Sequence, residues 1–176
     1  MTASPRYTQL AIALHWLIAI LLVGLIALGY YMEGQPKNTP DRAYYFSLHK
    51  SFGLLTLLLI VVRIGWRAKH PAPPLPASMP AWQINATTIS HSLLYLCMLL
   101  QPLTGYLSSS FNKYGVKFFG LKLPNWGRED NGLRELFASA HDFIAVVFIA
   151  VIAVHLLAAL KHLLIDRDQV FQRMLP

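Results

Sequence analysis

The sequence is poor in charge and nearly free of cysteine. Only 13% of its 176 residues are Asp, Glu, Lys or Arg, while 55% are hydrophobic. A soluble domain carries about 25% charged residues, so this chain has too little polar surface to coat a globule in water. The one cysteine, Cys97, excludes an internal disulfide and any cysteine-ligated cluster or metal site. Carboxylates are scarce, with 8 Asp and Glu against 15 Lys and Arg, and none lies deep in an apolar run. A carboxylate-bridged di-metal site is thereby excluded. The net charge of +7 is scattered rather than gathered into a stripe, which speaks against a nucleic-acid partner.

What the chain has instead is four long apolar runs, at about 9–31, 44–66, 86–108 and 136–164. Each reaches the ~20 residues that a helix rising ~1.5 Å per residue needs to cross ~30 Å of hydrocarbon. Lipid offers the backbone no hydrogen-bond partners, so the runs are read as helices. The first run is too long for a secretory h-region, contains His15 and Trp16, and lacks a small-residue cleavage site, so it is read as a span. The expected fold is all-α, an integral membrane four-helix bundle forming one domain over residues 1–176. The connection "RAKHPAPPLPASMPAWQ" is a stiff, proline-rich loop, and the one at about 109–134 is aromatic enough to lie in the membrane interface. Pro102 is expected to kink the third span. Basic residues near the span ends favour cytoplasmic termini.

Against this background the stretch "ALHWL" stands out, because it places His15 in an otherwise apolar run. His49, His141 and His155 are similarly placed. By depth they form two pairs, His15 with His155 and His49 with His141, one near each membrane face. His141 and His155 share a helix face about 21 Å apart, a vertical spacing suited to two cofactors stacked across one bilayer. Ionisable groups at such depth are costly and mark functional sites. Small residues lie one turn away: Ala11 and Ala19 by His15, Gly53 by His49, Ala145 by His141, Ala158 and Ala159 by His155. Small residues also serve close helix packing, but four histidines in matched pairs make a flat porphyrin the better account. Zinc calls for three or four ligands together, whereas each level supplies two. Two facing imidazoles suit the axial positions of a haem iron.

His91 and His162 lie near the cytoplasmic ends of the third and fourth spans, and His70 lies in the proline loop, where it is read as solvated. Two readings of His91 and His162 stand side by side. They either bond loop carbonyls, headgroups or a haem propionate, or form a quinone pocket in which imidazole acts as proton donor. Arg63 and Arg67, at the cytoplasmic end of the second span, suit propionates or lipid headgroups.

The segments "RYTQLAIALHWL", "HKSFGLLTLLLIVVRIGWRAKHPAPPLP", "HSLLYLCMLLQPLTGY", "FFGLKLP" and "AHDFIAVVFIAVIAVHLLAALKH" together resemble the bacterial cytochrome b561 family over the whole length. The resemblance implies a multi-pass protein of the bacterial inner membrane carrying two haem b groups. It implies His15 and His155 as axial ligands of the cytoplasmic haem, and His49 and His141 of the periplasmic one. It further implies superoxide as donor at the periplasmic face and ubiquinone, from the quinone pool, as acceptor near the cytoplasmic haem. The loops "SFNKYGVK" and "GREDNGLRE" depart from those relatives.

With both axial positions filled, chemistry is expected as outer-sphere electron transfer at the haem edge. A basic rim that includes Lys113 and Lys117 would raise the encounter rate of an anionic donor, although Glu129, Asp130 and Glu135 dilute that field. The alternative is an electron-carrier subunit working between a partner dehydrogenase and the quinone pool. A haem-free membrane scaffold is a third reading.

Overall fold

The computed structural model describes residues 6–76 and 78–176. Four helices run in the order α1 (Gln9–Glu33), α2 (Pro40–Lys69), α3 (Ala81–Ser110) and α4 (Asn131–Lys161). Each contains the corresponding apolar run and extends beyond it by polar end turns, except that α4 hands its last residues to a π turn, His162–Asp166. A short 3-10 turn, Phe171–Met174, follows.

Local chemistry sets the helix ends. Thr8, Thr39 and Asp130 cap α1, α2 and α4 by accepting from the amides of Ala11, Arg42 and Leu133, each satisfying one of the four amides a helix start leaves unpaired. Pro40 opens α2, where its missing N–H costs nothing. At the other end of α1, Arg42 Nη1 donates to the carbonyls of Met32, Glu33 and Gln35 at 2.8–3.1 Å. Its Nη2 pairs with the Glu33 carboxylate at 2.7 Å. One guanidinium therefore closes both the end of α1 and the turn into α2.

Three helices, α1, α2 and α4 with its π turn, are long and apolar enough to cross a membrane. The third, α3, has the length but not the hydropathy, which sets it apart from the other three of the four apolar runs expected as spans. Its sequence carries Gln83, Asn85, Thr87, Thr88, Ser90, His91, Gln101 and Thr104. Several of these are spent inside the bundle: Thr104 Oγ1 donates to the Leu100 carbonyl at 2.8 Å and Gln101 meets His141. A helix that turns polar residues inward loses hydropathy without gaining polar surface. Pro102 lies within α3, as expected.

The helices pack unevenly. Close backbone contact joins α3 with α4, α1 with α2 and, less extensively, α2 with α3, whereas α1 and α2 make little such contact with α4. At mid-height a core of Ile18, Ile60, Cys97, Met98 and Phe148 draws on all four helices. Large hydrophobic side chains elsewhere point outward, among them Ile20, Val23, Phe143, Val146 and Leu157, as lipid-facing residues do.

The loop between α3 and α4 is folded. Strands β1 (Lys117–Phe118) and β2 (Leu121–Lys122) form a two-residue antiparallel hairpin, with Val116 buried behind it. The expected interfacial aromatics are present, with Tyr114 and Trp126 both 72% exposed. The hairpin is fastened to α2 by Ser51, whose hydroxyl donates to the Ser47 carbonyl at 2.9 Å and accepts from the Phe119 amide at 3.0 Å.

Candidate functional site: two imidazole pairs

The ring centroids of His15 and His155 lie 6.4 Å apart, and those of His49 and His141 lie 6.3 Å apart. Two imidazoles that each offer one nitrogen to a metal at about 2 Å stand with centroids about 6 Å apart. Neither pair is hydrogen-bonded ring to ring. In each pair one ring comes from α4 and the other from α1 or α2, the helices that keep their distance from α4. The gap between helices therefore coincides with the gap between imidazoles, a shape that admits a flat group and offers it a nitrogen from each side. The donor set fits haem iron and not zinc, since among the described residues no third histidine, cysteine or carboxylate ligand atom converges with either pair.

At the level of His49 and His141, a glycine lies against each ring, and only Gly105 is required by the closeness of the approach. A Cβ on Gly105 would stand 3.0 Å from Cε1 and Nδ1 of His141, and one on Gly29 would stand 3.5 Å from Cε1 of His49. The Gln101 carbonyl accepts from His141 Nδ1 at 2.8 Å, which fixes the tautomer and leaves the lone pair on Nε2. That nitrogen accepts from the Gln101 amide at 3.0 Å. Gln101, Thr104 and Gly105 on α3 thus hold the His141 ring, and sequence reading missed all three. The available signal was Gln101 itself, a polar side chain deep in an apolar run.

The level of His15 and His155 holds more polar chemistry. Arg63 Nη1 donates to the Ala11 carbonyl at 2.8 Å, and Nη2 lies 3.4 Å from His15 Nδ1. Arg67 sits 5.8 Å above the Tyr95 ring. Both arginines, with Trp66 and Tyr95, line a narrow cleft open to the surface. His91 lies beside His155, with centroids 5.5 Å apart, so this level has three imidazoles where the other has two. His70 is exposed, as expected, but stacks on Trp66 at 3.8 Å.

His162 lies in the π turn. Its Nδ1 is 2.6 Å from the Asp168 carboxylate and 3.4 Å from that of Asp166, while Lys161 pairs with Asp166. Asp166 reaches it as the i,i+4 neighbour within the turn, and Asp168 because the chain reverses at Arg167, with positive φ. The C-terminal turn then returns across this end. Trp16 Nε1 donates to the Met174 carbonyl at 2.7 Å, and buried Arg173 donates to the Pro74 carbonyl at 2.6 Å. Lys113 and Lys117 lie at the opposite end. Lys113 Nζ is 5.1 Å from the Tyr114 ring centroid, and Lys117 faces Lys122 across the hairpin.

A model of the prokaryotic cytochrome b561 family matches residues 6–176. The chain belongs to that family. The b561 chain is 34% identical to cytochrome b561 homolog 2 of Escherichia coli, covering 97% of this chain and 91% of that protein. It is 30% identical to cytochrome b562 of Cereibacter sphaeroides, covering 99% and 98%. It is 26% identical to a Yersinia pestis protein named "probable superoxide oxidase CybB", covering 97% and 96%. As a b561 protein it is a membrane electron-transfer protein, and its family implies b-type haem. Its two imidazole pairs fit that group.

Proposed function

We propose that this b561 protein binds two haem b groups, one per imidazole pair, takes electrons from superoxide at the outer face and delivers them to ubiquinone at the inner face of the bacterial inner membrane. The observation that carries the reading is the matched pairing at two heights, 6.3 and 6.4 Å between centroids, with α4 contributing one ring to each. The printed name of the Yersinia pestis relative supports superoxide as donor.

Haem iron would supply reversible one-electron redox. His15 with His155 and His49 with His141 would hold it, with Gln101 orienting His141. Arg63, beside His15, and Arg67, over Tyr95, would balance the charge of the haem propionates. Lys113 and Lys117, joined by Lys122, raise the local concentration of a small anion. That attraction has a local cost, since like charges directly opposite on a hairpin destabilise it by roughly 0.2–1 kcal/mol. His162, with Nδ1 held by Asp168, is the proposed proton donor, and His91, which lies beside His155, is the other candidate. In balance, two superoxide anions become two dioxygen molecules, and their two electrons with two protons convert quinone to quinol. The termini are assigned to the cytoplasmic side.

The test is direct: superoxide generated beside the purified protein should reduce its haem without any partner and, with ubiquinone added, should yield quinol. Haem that stays oxidised under superoxide, but is reduced by a co-purifying dehydrogenase, would replace this reading with the electron-carrier subunit.

A further inference from the structure

Between the two imidazole levels lies a buried apolar cluster drawn from all four helices. Phe148 is the only buried residue of α4, 3% exposed, and the only buried aromatic side chain among the described residues. It falls seven residues after His141 and seven before His155, about 10 Å along the helix from each and on nearly the same face. Its ring packs with Ile18 of α1, Ile60 of α2, and Cys97 and Met98 of α3, so every helix contributes.

Both sides of the layer are polar. Gln101, Thr104, His49 and His141 lie on the outer side; Arg63, His15, His91 and His155 lie on the inner side. Polar groups and ordered water at such depths are what proton paths are made of, whereas a tight apolar constriction stays dry. Ile60 is fully buried in the layer, and the one titratable group there is the Cys97 thiol, 5% exposed.

We propose that the Phe148 layer is a hydrophobic seal that blocks water and protons between the two polar levels while leaving electrons free to cross. Phe148 is in this sense a positioning residue: it touches no reacting atom and keeps the two half-sites on separate aqueous phases. The seal holds whichever donor loads the protein, because it rests on the bundle alone.

The test uses the full-length protein reconstituted into sealed liposomes with an imposed pH gradient. Phe148→Asn places an amide in the layer, and the gradient should collapse on the order of tenfold faster than with the unmodified protein. Phe148→Leu, which stays apolar, should retain it. A trapped anionic dye should stay inside in every case, which separates a proton path from general disruption of the bundle. Cys97 supplies a second readout, since a small cationic thiol reagent should label it on the order of tenfold faster in Phe148→Asn, water being its route. Should Phe148→Asn fail to accumulate, Ile60→Thr puts a hydroxyl in the same layer, with Ile60→Val as the apolar control of the same size, and the same two measurements decide. Unchanged proton leak and unchanged Cys97 labelling would overturn the seal, as would equal leakage of protons and dye.

Discussion

At the scale of single residues, Gly105 and Gly29 separate two kinds of close approach. Alanine at 105 would favour the helix by about 0.5–1 kcal/mol but would press a methyl group to 3.0 Å from the His141 ring. Gly105→Ala should therefore lower the outer haem content while the protein still folds. Gly29→Ala, at an ordinary 3.5 Å from His49, should change little. Haem-to-protein ratios and reduced-minus-oxidised spectra of the two variants give the comparison. By the same spectra, His49→Ala should remove the outer haem and leave the inner one largely bound, since the pairs lie at separate heights. Loss of the inner haem alone would contradict the pairing.

Among elements, the hairpin of β1 and β2 has too few ladder bonds to hold its own shape, because two-residue strands are marginal in isolation. Its order comes from Ser51, which is 1% exposed and bonded to the Lys117 carbonyl and the Phe119 amide where the chain enters the turn. Ser51→Ala removes the acceptor of the Phe119 amide at a cost of about 1–3 kcal/mol. The hairpin should then become a site of limited proteolysis near Lys117 and Lys122, while the helices stay resistant. Cleavage no faster than in the unmodified protein would show that Val116 and the Phe52–Phe119 contact suffice. The α3 helix carries the complementary lesson: its modest hydropathy is the cost of presenting Gln101 and Thr104 to His141, and packing on α4 holds it in place.

For the whole molecule, loading at one face and draining at the other should fail independently. Lys113→Glu with Lys117→Glu should slow superoxide-driven haem reduction, more strongly at low salt, because such steering is screened over about 10 Å at 0.1 M. Reoxidation by quinone should stay normal. His162→Ala should invert this, with normal loading and slowed quinol formation. Asp168→Asn should follow it in milder form, since Nδ1 keeps an amide oxygen as partner. Stopped-flow traces of the half-reactions resolve the four combinations. If the double lysine variant loads at the unmodified rate at every salt concentration, the carrier-subunit reading gains.

How much of this lay in the sequence varies with the range of the interaction involved. Low charge and four apolar runs determined a helical membrane protein, because a chain in lipid must satisfy its backbone within each helix. Depth along each run grouped His15, His49, His141 and His155 into two levels, since rise per residue is a local quantity. Thr8, Thr39 and Asp130 set helix starts by bonds that span three residues. Only the tertiary structure brought Gln101 and Gly105 to His141, Ser51 to the hairpin, Arg63 to His15 and Asp168 to His162. These partners lie on other helices or beyond chain reversals, and no periodicity encodes which face of α3 meets α4. Phe148 shows the division in one residue: its place midway between two histidines is written in the numbering, and its burial among Ile18, Ile60, Cys97 and Met98 was decided by how four helices close on one another.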